Sequence, residues 1–380
     1  MQFVLFAHSL LSDWNHGNAH FLRGVTVELQ SRGHAVRVYE PGDAWSVANL
    51  VADYGEASLE ATRAAYPSLR SIRYDERSLD LDAALDGADV VIVHEWSSHD
   101  LVRRIGERRA RRPDFVLLFH DTHHRSVSDT SAMTAYELSA YDGVLAFGDV
   151  VRRRYLDNGW AARAWTWHEA ADVRLFRPRP EVERNHDLVW IGNWGDDERG
   201  AELREFLLEP SRSLGLDARV YGVRYPPEAL DALRSAGIAY EGWLPNYRVP
   251  EVFARHRVTM HVPRRPYVQS LPGIPTIRPF EALACGIPLV SAPWDDDERL
   301  FRPGVDYLVA RRGAEMERHL RDVLHDSGLA RSLAESGLET ILSRHTCAHR
   351  VDELLEIVSS VNAQCRAALH APPTPQALTT

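Results

Sequence analysis

Along the chain, short continuous apolar runs alternate with longer stretches in which apolar residues return every three or four positions. The run FVLFAH (3–8) has the length of a buried strand. In residues 18–32, Phe21, Leu22, Val25 and Leu29 share one helical face, and Gly33 ends the segment. AVRVYEP (35–41), DVVIVHE (89–95), FVLLFHD (115–121), GVLAFG (143–148) and ARAWTWHEA (162–170) are further strand candidates. Helices fit between the later ones, near 97–110, 131–140 and 149–157. Strands this uniformly apolar, separated by helical segments, predict a largely parallel sheet covered on both faces.

The pattern breaks at residues 171–187, ADVRLFRPRPEVERNHD, which is charged and punctuated by proline. It then restarts with DLVWIG (187–192), ARVYGV (218–223), VTMHVP (258–263) and IPLVSA (287–292) as strands. Helices are expected near 199–214, 226–236, 248–256, 279–285, 314–326, 328–343 and 347–367. The organisation predicted is an α/β chain with an N-terminal unit over 1–178 and a second over 187–346. A terminal helix, 347–367, and a disordered tail, 368–380, follow. A ligand shared by two such units would lie outside the carboxyl ends of both sheets.

Composition narrows the class. The 380 residues are 44% apolar and 26% charged, a globular balance. No apolar run approaches the ~18 residues that cross a bilayer, and the opening MQFVLFAHSLL has no basic flank and reads as a strand rather than a signal peptide. The net charge of −10 argues against a nucleic-acid partner. The six arginines between 103 and 112 surround Glu107 like a solvated helix face. Three cysteines, 285, 347 and 365, form no CxxC and suit a reducing, cytoplasmic setting. No tight metal-binding spacing occurs, so no metal is expected.

The chemistry-bearing residues fall at strand ends. His8, the pair His94-Glu95, the pair His120-Asp121 and the pair His168-Glu169 each close a strand, where a doubly wound sheet opens onto its crevice. A histidine beside an acid can orient and deprotonate a hydroxyl, although adjacent residues on one strand point to opposite faces. In the second half, LPGIPTIRPFEALACGIPLVSAP (271–293) is a loop, a helix start, a tight stop and a buried strand. Such a helix N-terminus offers unpaired N–H groups to an anion. Glu281, one turn in, has two acceptor oxygens that fit a vicinal diol. Gly192 lies in a turn after a strand, and Arg264 and Arg278 are candidates to neutralise a diphosphate.

These segments resemble the GT-B glycosyltransferases that use nucleotide sugars, and among them the CgeB-like, spore-maturation group. The resemblance is carried by EGWLPNYRVPEVFARHRVTMHVPR (241–264), IRPFEALACGIPLVS (277–291), LFRPGVDYLVA (300–310) and SRHTCAHRVDELL (343–355). GNAHFLRGVTVELQSRGHAVRVYEP (17–41) and WHEAADVRLFRP (167–178) add a less specific likeness. It implies two Rossmann-like domains facing each other across a cleft, with no tightly bound cofactor. Glu281 would hold the donor ribose. Arg278 and the loop with Gly273 and Ile274 would lie near the phosphates, and turns containing Gly222 and Trp243 would flank the base. His94, Glu95, His120 and Asp121 would face an acceptor, either a small molecule or a glycan. The donor implied is a nucleoside-diphosphate sugar, with UDP-sugars slightly favoured, and the enzyme a hexosyltransferase acting without a metal, as a monomer or homodimer.

One position departs from the pattern. Many retaining relatives carry a glutamate where this chain has Gly273, and CgeB-like sequences share the shortened form. The resemblance leans towards retention. A nucleotide-sugar epimerase and a non-catalytic binding protein on the same fold are the alternatives.

Overall fold

The computed structural model describes residues 1–370. Residues 371–380 of the expected tail lie outside the described residues, and 368–370 belong to the last helix, Cys347–His370. Two parallel sheets form the framework. The first comprises β1 Gln2–Phe6, β2 Ala35–Pro41, β3 Ser71–Tyr74, β4 Val90–His94, β5 Val116–Asp121, β6 Gly143–Ala146 and β7 Ala164–Thr166. Its order is β3-β2-β1-β4-β5-β6-β7, so the chain reverses its direction of growth at β1 and β4. The second comprises β8 His186–Ile191, β9 Ala218–Tyr221, β10 Ala239–Tyr240, β11 His256–His261, β12 Leu289–Ser291 and β13 Leu308–Val309. It repeats the plan as β10-β9-β8-β11-β12-β13.

The most apolar runs became central strands. β4 is buried along its whole length, and β5 is too. The three strands the hydrophobic pattern missed, β3, β10 and β13, are short and lie outside the sheet centres. β3 carries Arg73 and an exposed Ile72, so it has no apolar run to betray it. Helices Trp45–Tyr54 and Ala57–Ala65 were also unread; they bury only Val47, Leu50 and Leu59 among their large aliphatics. The helix expected over 131–140 is limited to Thr130–Thr134. Beyond it, Tyr136 and Tyr141 turn into the core, where the Tyr141 hydroxyl donates to the Val102 carbonyl at 2.9 Å.

The final helix leaves the second sheet and packs on the helix Ala19–Ser31 beside the first. Contact is close: a methyl at Gly24 would sit 2.4 Å from Cys347 Sγ. The indole of Trp167 donates to the Arg350 carbonyl at 2.8 Å, and Arg32 donates to that of Ala348 at 3.0 Å. A second tie is Glu298, whose carboxylate accepts from the Asp149 amide at 2.8 Å and meets His168 at 3.0 Å. It thereby supplies the helix Asp149–Asp157 with the anionic cap its own sequence lacks. No helix among the described residues is long and apolar enough to cross a membrane.

Candidate functional site

The carboxyl ends of the central strands of both sheets open into one cleft of about 870 Å³. From the second sheet, the turn after β8 delivers Gly192, Asn193, Glu198 and Arg199, and the end of β11 delivers Arg264. Gly222, after β9, lies so close to Gly192 that a Cβ there would be 2.0 Å from the Gly192 carbonyl oxygen. Only glycine permits that approach. Thr276, Ile277 and Arg278 complete this wall at the start of the helix Ile277–Ala284. No side chain caps that helix, so its first N–H groups remain available. Thr276 is held at φ 62° and ψ −177°, a conformation that costs a non-glycine residue about 1–3 kcal/mol and concentrates at ligand sites.

The arginines of this wall are only partly neutralised. Asn193 Oδ1 accepts from both Arg199 at 2.8 Å and Arg264 at 2.9 Å. Arg264 also donates to Glu198 at 2.5 Å. Among the described residues Arg199 makes no ion pair; its other bonds go to the carbonyls of Val262 and Asn193, and it lies over the Trp190 ring. Burial, and then the neighbouring charge of Arg264, lower its pKa to about 9. An arginine forced that far from its ordinary range sits where an anion would be welcome. Arg278 uses one nitrogen on Glu281, and among the described residues its remaining N–H groups have no further hydrogen-bond partner.

Glu281 itself lies beneath the cleft lining, not on it. It is fully buried at the junction of the two halves. Oε1 accepts from Asn246 at 2.6 Å and lies 3.4 Å from His20 Nδ1, while Oε2 pairs with Arg278. His20 Nε2 accepts the Asp172 amide at 3.0 Å, which leaves its proton on Nδ1, facing Asn246 and Glu281. The acid expected to meet a vicinal diol is thus a buried carboxylate whose visible task is to anchor Arg278. Burial raises its pKa, and Arg278 opposes that shift.

Gly273 and Ile274 also stand away from the cleft. Ile274 is buried against Gly148 of the first half, where a Cβ would approach it to 2.5 Å. Gly273 adopts φ 88°, and a Cβ there would strike Glu298 at 2.8 Å. This loop is thus spent on joining the halves. Trp243 does line the cleft, but its indole N–H donates to Asp13 at 3.0 Å across the junction.

The first-half quartet, expected to face the cleft, forms its underlying floor. Glu95 accepts from the amide and hydroxyl of Thr122, at 3.1 and 3.0 Å, and from Arg125 at 2.8 Å. Asp121 accepts from the Tyr155 hydroxyl at 2.9 Å and the His123 amide at 3.1 Å. Burial, and then Glu95, push its pKa up to about 8. His94 reaches Thr122 at 3.2 Å, and His120 is enclosed by Phe21 and Trp167 with both ring nitrogens unpaired. His94 and Glu95 thereby hold Thr122, and Asp121 holds the His123 amide; Thr122, His123 and His124 do line the cleft. The strand-end pairs located the crevice but stopped one residue short of its surface, at Glu95 before Trp96 and Asp121 before Thr122.

The sequence had also marked His168-Glu169, and there it was nearer. His168 turns to Glu298, whereas Glu169 lines the cleft and accepts from Asn18 at 3.1 Å. Burial, with a further push from Glu281, raises its pKa to about 8. The first-half wall also carries Trp14, His16, Trp45, Asn49, Trp96 and Phe147, together with Asp13, which is paired with Arg23. Trp167 is buried and Trp165 packs on Gly143, so neither joins it. Among the described residues no group of three histidines, cysteines or acids is placed to hold a metal ion.

A family model described as "Glycosyl transferase-like" matches residues 202–356. The fold matches solved structures over nearly the whole chain. Anabaena HepE in complex with UDP-glucose aligns with a TM-score of 0.69 at 13% identity, over 95% of this chain and 100% of that one. Sucrose-phosphate synthase from Thermosynechococcus elongatus gives 0.67 at 13%, over 96% and 100%. The trehalose 6-phosphate synthase of Burkholderia multivorans gives 0.62 at 12%, over 98% and 99%. No curated protein matches the sequence significantly. The architecture is thus the GT-B fold of two facing parallel-sheet domains.

Proposed function

We propose that the protein is a glycosyltransferase that moves a sugar from a nucleoside-diphosphate sugar to an acceptor hydroxyl. One observation carries this reading: the cationic wall of Arg199, Arg264 and Arg278 surrounds an uncapped helix start at the mouth of the cleft. That is the arrangement a diphosphate needs, because charge accumulates on it as the anomeric bond opens. Support for a UDP-sugar donor comes from the likeness to HepE, a structure of which contains UDP-glucose. The family model over residues 202–356, described as glycosyl transferase-like, supports the glycosyl-transfer part of the reading.

In the reaction, an acceptor oxygen forms a bond to the anomeric carbon. The bond from that carbon to the diphosphate oxygen breaks, and its electron pair leaves with the nucleoside diphosphate. In the retaining course favoured here, the leaving phosphate receives the acceptor proton. Arginines and helix N–H groups then stabilise the leaving group without a metal. Glu281 orients Arg278, while His94, Glu95 and Asp121 set the position of the Thr122–His124 turn. Gly192 and Gly222 let the nucleotide approach the backbone.

A thermal-shift series with UDP-, GDP-, ADP- and TDP-glucose tests the reading, since a ligand bound only by the folded state raises the melting temperature. Stabilisation by one nucleotide family is expected, with UDP-glucose foremost. No shift with any of the four contradicts it.

A further inference from the structure

The two walls of the cleft differ in charge in a way that bears on the second substrate, given the donor reading above. Every arginine that lines the cleft lies between residues 199 and 278, and the chain contains no lysine. On the first-half wall, Asp13 is already paired with Arg23 at 2.8 Å. The imidazoles of His16 and His123 are pushed well below their ordinary pKa by burial, and then by their histidine neighbours, so they are neutral near pH 7. Glu169, raised to about 8, holds its proton there as well.

What this wall does offer is an aromatic corner. Trp45 and Trp96 are half-buried, with ring centroids 6.2 Å apart and planes at 74°. His8 stacks on Trp45 at 4.5 Å, and the Arg125 guanidinium, itself held by Glu95, lies 4.4 Å from the Trp96 centroid. Both indoles are thereby braced from behind and both line the cleft. Asn49, one turn from Trp45 on the same helix, and elsewhere on the same cleft wall Asn18 and the neutral Glu169, offer hydrogen-bonding groups for hydroxyls.

We propose that the acceptor is an uncharged molecule with a ring face, a sugar or an aryl glycoside, that stacks in the Trp45–Trp96 corner, and that phosphorylated acceptors are rejected. A sugar's C–H face or an aryl ring gains contact with the indoles. A phosphate placed there would lose its hydration, while the cation at this corner, Arg125, is already committed to Glu95.

The test is titration calorimetry on the full-length protein, with and without saturating UDP. The ligands are methyl glucoside, phenyl glucoside and glucose 6-phosphate. Either uncharged ligand is expected to bind at least about 10-fold tighter than the phosphate, and the preferred one separates saccharide from aryl recognition. Trp96→Ala should weaken that binding about 5- to 10-fold and leave UDP affinity unchanged, and Trp96→Phe should restore most of it. Equal or tighter binding of glucose 6-phosphate overturns the proposal, as does failure of both uncharged ligands or indifference to Trp96→Ala. If UDP does not bind, the donor reading fails, and the nucleotide-free titrations still decide the acceptor class.

Discussion

The two walls of one cleft are built from the same fold plan, yet they offer opposite chemistry. The second-half wall keeps three arginines close together with too few carboxylates, and it accepts the cost of a depressed Arg199 and a strained Thr276. The first-half wall pairs its charges internally, at Asp13–Arg23 and Glu95–Arg125, and otherwise presents neutral imidazoles, indoles, amides and the protonated Glu169. Charge is exposed on the wall proposed to hold an anion and is spent on scaffolding on the other.

The largest effect should come from removing the scaffold of the cationic wall. Arg278→Ala leaves Glu281 buried beside Asn246 and His20 with no cation, and should cost about 3–5 kcal/mol in denaturant unfolding. Unchanged stability would mean that Glu281 is already protonated and that Arg278 serves only the ligand.

Glu169 sharpens the contrast on the other wall through pH. Its folded pKa, about 8, lies above the ordinary 4.5, so between those values the folded protein holds a proton that the unfolded chain releases. Stability contributed by this group therefore falls as pH rises through that window and stays at its lower level above it. Glu169→Gln removes the dependence. Its unfolding free energy should exceed that of the wild type by an amount that grows from pH 5 to pH 8, reaching on the order of 3 kcal/mol. A gap that does not vary with pH would place the carboxyl in contact with water.

Arg264→Ala should act on ligand rather than fold, because its partners Glu198 and Asn193 are both near solvent. A charged hydrogen bond of about 2 kcal/mol corresponds to roughly 30-fold weaker binding of UDP, with a melting temperature close to the wild type. The smallest effect is expected at the junction. Glu298→Ala removes the cap from the helix Asp149–Asp157 and should cost about 1 kcal/mol, with no change in UDP affinity at saturation.

The sequence made the two-sheet framework readable because its central strands are continuous apolar runs; β4 and β5 lay within a residue or two of where the pattern put them. It failed at β3 and at helices 45–54 and 57–65, where burial is partial and polar residues interrupt the period. For the site, the helix start at Ile277 and the arginines 264 and 278 were legible from residue type and position. Their partners were not. Asn193, which links Arg199 to Arg264, stands 71 residues before Arg264, and Asn246 lies 35 before Glu281. Pairings of that range are set by packing, not by spacing. The strand-end acids misled for a related reason: at β4 and β5 they face inward to satisfy the backbone of the next turn, and only the third to fifth residues of HDTHH (120–124) reach the cleft. Trp45, on a helix with no readable signature, could be found only once the fold placed it there.

The central claim is that the second-half wall reads a diphosphate. Calorimetric titration of the wild-type protein with UDP, UMP and uridine tests it most directly. The account predicts that UDP binds at least about 100-fold tighter than uridine, with UMP between them and the difference shrinking as salt rises. Equal affinities for UDP and uridine, or no binding of UDP, would contradict it.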